Sequence, residues 1–266
     1  GRSEEDVRSH VAAGCFGTWD ETGRYIHLAV SAGAVAGMGY GEALGHFIAE
    51  DGCALPERAT LTAALSAWAR DPTDDPLMPA RAELLQTMIR NELPAGFHRV
   101  VHPHKDFSLT AAAYQTRVPL TVHPGIGYDI ICNNPAANGA TLGRGADTDY
   151  RTFAHSVMQL DGGVFLSVGS AIMAPQVFEK ATSFANNLRR QQGLGPIQPF
   201  ILVNDLAAIE WDWRKSEPPQ DNPAYYLRFC KSFSRMGGEM VYAGGDNKVL
   251  LTNLWAGLRD GTAYDR

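Results

Sequence analysis

From residue 108 onward the sequence alternates helical and strand-like patterns, and this alternation constrains the fold more than any other feature. Helical spacing over 108–116, 148–160, 175–192 and 246–258 is interleaved with apolar runs at 118–123, 163–168, 200–203 and 239–243, and a further helix is expected near 224–233. Strands that alternate with helices in this way assemble into a parallel sheet covered by helices. The expected fold class is therefore α/β, with a doubly wound, mostly parallel, Rossmann-like sheet.

Ahead of this region the pattern is helical. Ser3 followed by Glu4, Glu5 and Asp6 supplies a capping side chain and acidic first-turn residues, so a helix is expected from Ser3 to about Gly14. Residues 21–50 carry apolar residues at helical spacing, interrupted by Gly33, Gly37, Gly39 and Gly41, which implies two helices with a close-packed or bent junction. Two more helices are expected over 56–69 and 79–91, joined by the proline-rich loop RDPTDDPLMP. Residues 1–105 thus read as a helical segment, an incomplete part of the domain continued by an α/β core over 106–266.

Composition narrows the function. Among 266 residues the net charge is −6 and the densest basic cluster is only Arg189-Arg190, which argues against nucleic acid. Cys15, Cys53, Cys132 and Cys230 are scattered without a C-x-x-C pair, so neither a disulfide framework nor a structural zinc site is indicated and a cytoplasmic location is expected. No apolar run reaches the roughly 20 residues of a membrane-spanning helix.

In open α/β sheets ligands bind beyond the carboxyl ends of the strands. The informative loops fall at such ends: His123 to Asp129, Gly169 to Ala171, Asn204-Asp205 and Gly244 to Asp246. Gly125-Ile126-Gly127 allows close backbone approach to a phosphate or ribose, or simply a tight turn needed for packing. The full G-x-G-x-x-G fingerprint is absent. Asp129 suits a ribose hydroxyl or a cationic substrate, or a turn cap. His98, His102, His104 and His123 with Asp106 and Asp129 offer metal-type ligands at poor spacing, and local capping explains the 102–106 stretch equally well. Lys231, among Tyr225, Tyr226, Phe229 and Phe233, is either a desolvated lysine of lowered pKa able to form an imine or a snorkelling surface lysine. Trp211 and Trp213 with Glu210 and Asp212 form an aromatic cation pocket or a cover over the core.

The order of these motifs resembles the deoxyhypusine synthase family and its bacterial relatives from about residue 106 to 258. The resemblance rests on His104-Lys105-Asp106, on Val118-Pro119 leading to Gly125-Ile126-Gly127-Tyr128-Asp129, and on 164–168 running into Gly169-Ser170-Ala171. It continues through 200–204, Lys231, and Val241-Tyr242-Ala243. It implies an NAD-dependent transferase in which an amine is oxidised to an imine, a carbon fragment passes to an amine nucleophile, and the hydride returns. Gly125, Gly127, Asp129, Gly169, Ser170 and Asp205 would hold NAD; Lys231, as nucleophile, and His123 would be the catalytic groups, with no metal.

Departures from the family shape the expected substrate. Tyr225 stands at the acidic position that helps hold a polyamine, Phe229-Cys230 replace the residues before the lysine, and Ala174-Pro175-Gln176 occupy the place of a histidine. A small-molecule amine or amino acid is therefore expected rather than a protein substrate. The resemblance also implies an upstream strand and glycine loop, supplied by a missing segment or a partner chain, and an oligomer such as a homotetramer with active sites between subunits. Two other readings stand beside it: a non-catalytic subunit completing a heteromeric enzyme of this type, and a metal-dependent hydrolase or lyase using His102, His104 and His123.

Overall fold

The computed structural model describes residues 3–15, 19–215 and 217–261. The chain divides into two compact units, Gly1–Thr152 and Phe153–Arg266.

In the first unit, helix α1 (Glu4–Ala12) begins on the expected capping box: the Ser3 hydroxyl accepts from the Asp6 N–H, and the Asp6 carboxylate accepts from the Ser3 N–H. Helices α2 (Arg24–Ala34) and α3 (Tyr40–Ala49) are the pair anticipated from the glycine-interrupted pattern. Their close packing needs Gly33, where an added Cβ would lie 2.5 Å from that of Ala43. Next come β1 (Gly52–Leu55), α4 (Arg58–Arg70), α5 (Met78–Arg90), β2 (Gly96–Arg99), α6 (Leu109–Thr116) and α7 (Gly139–Met158), whose last residues, from Phe153 on, belong to the second unit. Strands β1 and β2 pair antiparallel, with Gly52 opposite Arg99 and Leu55 opposite Gly96. Around them Leu28, Phe47, Leu55, Leu84 and Met88 form one core cluster, while Val30, Tyr40, Ile131 and Leu142 form another.

Two expectations fail here. The apolar run at 118–123 is not a strand. It is irregular and lies against helices: the Val122 N–H donates to the Asp149 carboxylate at 2.7 Å, and Gly41 packs so close to the Leu120 carbonyl that a Cβ would sit 2.0 Å from its oxygen. The Val118 N–H is taken by the Ala113 carbonyl and the Val122 N–H by the Asp149 carboxylate, so these two donors are satisfied without a sheet. Helix α7 also starts at Gly139 rather than near residue 148. Gly145 in the added turns serves packing, since a Cβ there would lie 3.0 Å from Val30 and 3.3 Å from Tyr40.

The second unit holds β3 (Val164–Val168), α8 (Met173–Gln191), β4 (Phe200–Asp205), α9 (Arg228–Ser234), β5 (Glu239–Gly244) and α10 (Asn247–Asp260). The three strands form one parallel sheet in the order β3-β4-β5, with Val164 opposite Phe200 and Phe200 opposite Glu239. The observed class is thus mixed α/β with a small parallel sheet. Phe178 and Phe233 are fully buried and meet Phe165, whose ring centroid lies 3.9 Å from that of Phe178. The helix expected at 224–233 breaks at Leu227, where ψ of 80° separates a single 3-10 turn over Pro223–Tyr226 from α9. Among the described residues no helix is long and apolar enough to cross a membrane.

Candidate functional site

The carboxyl edge of the parallel sheet gathers four sequence-predicted features of the second unit. Gly169, at φ 70°, turns the chain out of β3, and its N–H donates to the Asn204 carbonyl at 3.0 Å. This turn passes so near α10 that a Cβ on Gly169 would lie 2.4 Å from the Asn247 side-chain nitrogen, and the positive φ itself favours glycine. Ser170 caps the first turn of α8, its hydroxyl accepting from the Ala174 N–H at 3.1 Å. Asp205 ends β4; its carbonyl accepts from the Gly245 N–H at 3.0 Å and from the Tyr242 hydroxyl at 3.0 Å. Burial, with Asp205 and Cys230 nearby, pushes the Tyr242 hydroxyl up to about 12, so it stays a donor.

Two asparagines complete this edge. Asn204 is 3% exposed, and its side-chain nitrogen donates to the carbonyls of Ala243 at 2.7 Å and Gly245 at 3.3 Å. Those bonds fix the amide orientation and leave its oxygen buried with no hydrogen-bond partner; the Asn247 side-chain oxygen is left in the same condition. Buried acceptors without donors cost about 1–3 kcal/mol each. They mark places where a ligand's hydroxyl or N–H groups would be welcomed. Asn204 belongs to the stretch that the sequence singles out as a strand-end loop and is the penultimate residue of β4, but Asn247 was missed, because an asparagine at the start of a helix reads as a cap.

Lys231 does not have the environment expected of an imine-forming lysine. Its ammonium sits 3.4 Å from the Tyr225 ring centroid and 2.9 Å from Glu217, which also binds Arg235 at 2.6 Å. Tyr225 and then Glu217 raise its pKa above the ordinary lysine value, whereas a desolvated nucleophile would have it lowered. The Tyr225 hydroxyl is correspondingly lowered, first by Lys231. Glu217 was missed because it lies in a proline-rich stretch that reads as a surface excursion. The signal for it was the placement of Lys231 and Arg235 one helical turn apart, two cations on one face that call for an anion. The Trp213 ring is 6% exposed and its N–H is buried without a partner, so this tryptophan is a cover over the core.

The other expected residues lie in the first unit. Asp129 closes its own turn: its carboxylate accepts from the Gly125 N–H, and its N–H donates to the Gly125 carbonyl at 3.1 Å. The Tyr128 ring folds back over Gly125, filling the space that a Cβ would need, and Gly127 adopts φ 102°. His123 pairs with the Thr121 hydroxyl at 3.1 Å, and burial lowers its pKa so that it is neutral at pH 7. Asp149 anchors this loop from below. It is 3% exposed and accepts the N–H groups of Tyr40, Gly41 and Val122; burial raises its pKa despite those three bonds.

Among the described residues no three His, Cys, Asp or Glu side chains are grouped to hold a metal, and His102, His104 and His123 form no such cluster. No family model, curated protein or solved structure matches this chain.

Proposed function

We propose that the chain is an NAD-using, deoxyhypusine-synthase-like transferase acting on a small amine or amino acid in the cytoplasm. One observation carries the reading: two buried amide oxygens, those of Asn204 and Asn247, lack donors at the carboxyl edge of a parallel sheet. Ligands of α/β proteins bind at that edge, and the ribose hydroxyls and carboxamide of a nicotinamide nucleotide supply the missing donors. Asn204, Asp205 and Asn247 would accept its hydroxyls, with Gly169 letting the Asn247 side chain lie against the turn and Ser170 holding the α8 start in place. The reading rests on the second unit, whose three strands would be part of a doubly wound sheet completed by an upstream segment or a partner chain in a homo-oligomer.

Bound NAD would supply hydride acceptance and return. The chain's own part is to orient the amine and manage protons. In the ground state Lys231 is a protonated ammonium, so its attack on a substrate carbon requires loss of one proton to water or to the substrate amine, since Glu217, held below the ordinary carboxylate range by Lys231 itself, is too weak a base to take it. The pairing of Lys231 also favours a second reading, a subunit that completes a partner's site without supplying the nucleophile.

The decisive measurement is thermal stability with NAD. A ligand at a hundredfold excess over its Kd adds about 2.7 kcal/mol. Millimolar NAD should raise the melting temperature of the wild type and raise it less in Asn247→Ala; an unchanged melting temperature in the wild type would refute the cofactor reading.

A further inference from the structure

A cavity of about 880 Å³ opens in the first unit, between α2, α3 and the segment that follows β2. Its floor is apolar, built by Tyr25 and Ile26 from α2 and by Leu44, Phe47 and Ile48 from α3. Phe47 is 2% exposed, and the His102 ring stands edge-on to it with centroids 5.4 Å apart. The volume lies within the usual range for small-molecule sites, which combine an apolar body with a few converging polar groups.

The polar groups of the rim can be sorted by what already satisfies them. Lys105 is engaged: its ammonium donates to Asp51 at 2.8 Å and to the Ala49 carbonyl at 3.0 Å. Asp51 in turn accepts the His102 N–H at 2.8 Å, and Lys105 keeps its carboxyl below the ordinary range. That pair is electrically matched. Ser108 is occupied with Thr110 and the Ala111 N–H.

Four charged or imidazole groups are left over, one of them the His104 ring, which borders the cavity beside His102. Among the described residues Arg99 and Glu21 make no ion pair, and the His102 Nδ1 is buried without a hydrogen-bond partner, 3.7 Å from the Asp51 carboxylate. One unmatched cation, one unmatched carboxylate and two imidazoles therefore border a single apolar cavity. A purely anionic ligand would be opposed by Glu21, and a purely cationic one by Arg99.

We propose that this cavity binds a small zwitterion of the amino-acid type, with an aromatic or large aliphatic body on the Phe47 floor. Its carboxylate pairs with Arg99, beside His102, and its ammonium pairs with Glu21. This site belongs to the first unit and is independent of the cofactor reading, so its test contains no NAD.

The test is calorimetric titration of the whole chain with three probes of the same body: L-tryptophan, indole-3-propionate, which lacks the ammonium, and tryptamine, which lacks the carboxylate. L-Tryptophan should bind saturably at one site and at least tenfold more tightly than either truncated probe. Arg99→Gln should weaken L-tryptophan and indole-3-propionate at least tenfold and leave tryptamine unchanged, and Glu21→Gln should give the converse. Both positions are exposed, so neither change disturbs the core. Absence of saturable L-tryptophan binding at millimolar concentration, equal affinity for the three probes, or indifference of L-tryptophan binding to both variants would each overturn the proposal.

Discussion

At the residue scale, the most consequential environments belong to Lys231 and Asp149, and each inverts what its residue type suggests. Lys231 lies among aromatic residues, as its sequence neighbours imply, but it is held as a cation by the Tyr225 ring and Glu217. Replacing Glu217 with Gln removes the carboxylate shared by Lys231 and Arg235, so the Lys231 pKa should fall toward the ordinary value. Its labelling by trinitrobenzenesulfonate near pH 9, followed by peptide mapping, should then be faster than in the wild type; an unchanged rate would show that Glu217 does not hold that proton. Lys231 was legible as a special lysine, because aromatic residues flank it. The direction of its shift was not legible, because it depends first on how the Tyr225 side chain meets the ammonium and then on a carboxylate 14 positions away, carried by an irregular segment with no periodicity to read.

At the scale of elements, sequence patterns identify those that stabilise themselves locally and miss those set by distant partners. Helix α1 was visible through its capping box, and β3, β4 and β5 through short apolar runs bounded by turn residues. The pairing of β1 with β2 was not visible, since each strand is four residues long and its partner lies more than 40 positions away. The 118–123 run shows the same limit in reverse, being apolar and strand-like in sequence yet bonded to Asp149 instead of a neighbouring strand. Candidate-site legibility follows the same division. The glycine turns announced themselves, while the orphaned oxygens of Asn204 and Asn247 emerged only from the folded edge. Asp149→Asn should test the anchoring role. The amide presents N–H groups where the carboxylate accepted backbone donors, and each bond so lost costs about 1–3 kcal/mol. Denaturant unfolding should show the variant destabilised by that order, with the His123 resonances shifted in NMR; wild-type stability would rule the anchor out.

For the whole molecule, the same shifts fix the response to pH. Asp51, Asp75, Asp212 and Glu217 have carboxyls lowered by hydrogen-bonded partners, so the stability they contribute is present above the ordinary carboxylate range, about pH 4, and is lost as pH falls through their lowered values. Asp149 has the opposite sign. Its contribution is complete below the ordinary value and declines as pH rises through the raised one. Melting followed by circular dichroism should therefore show the chain losing stability below about pH 4, while the gap between wild type and Asp149→Asn narrows as pH rises from acid toward neutral. A gap that widened instead would reverse the sign assigned to Asp149. The anchor also has a consequence in time. Asp149 follows Val122 by 27 positions, and ribosomes add about 5–20 residues per second. For roughly 1–5 s of every synthesis, the nascent segment that carries His123 and Asp129 exists without the carboxylate that shapes it, and must remain unpaired with other nascent chains until that residue is made.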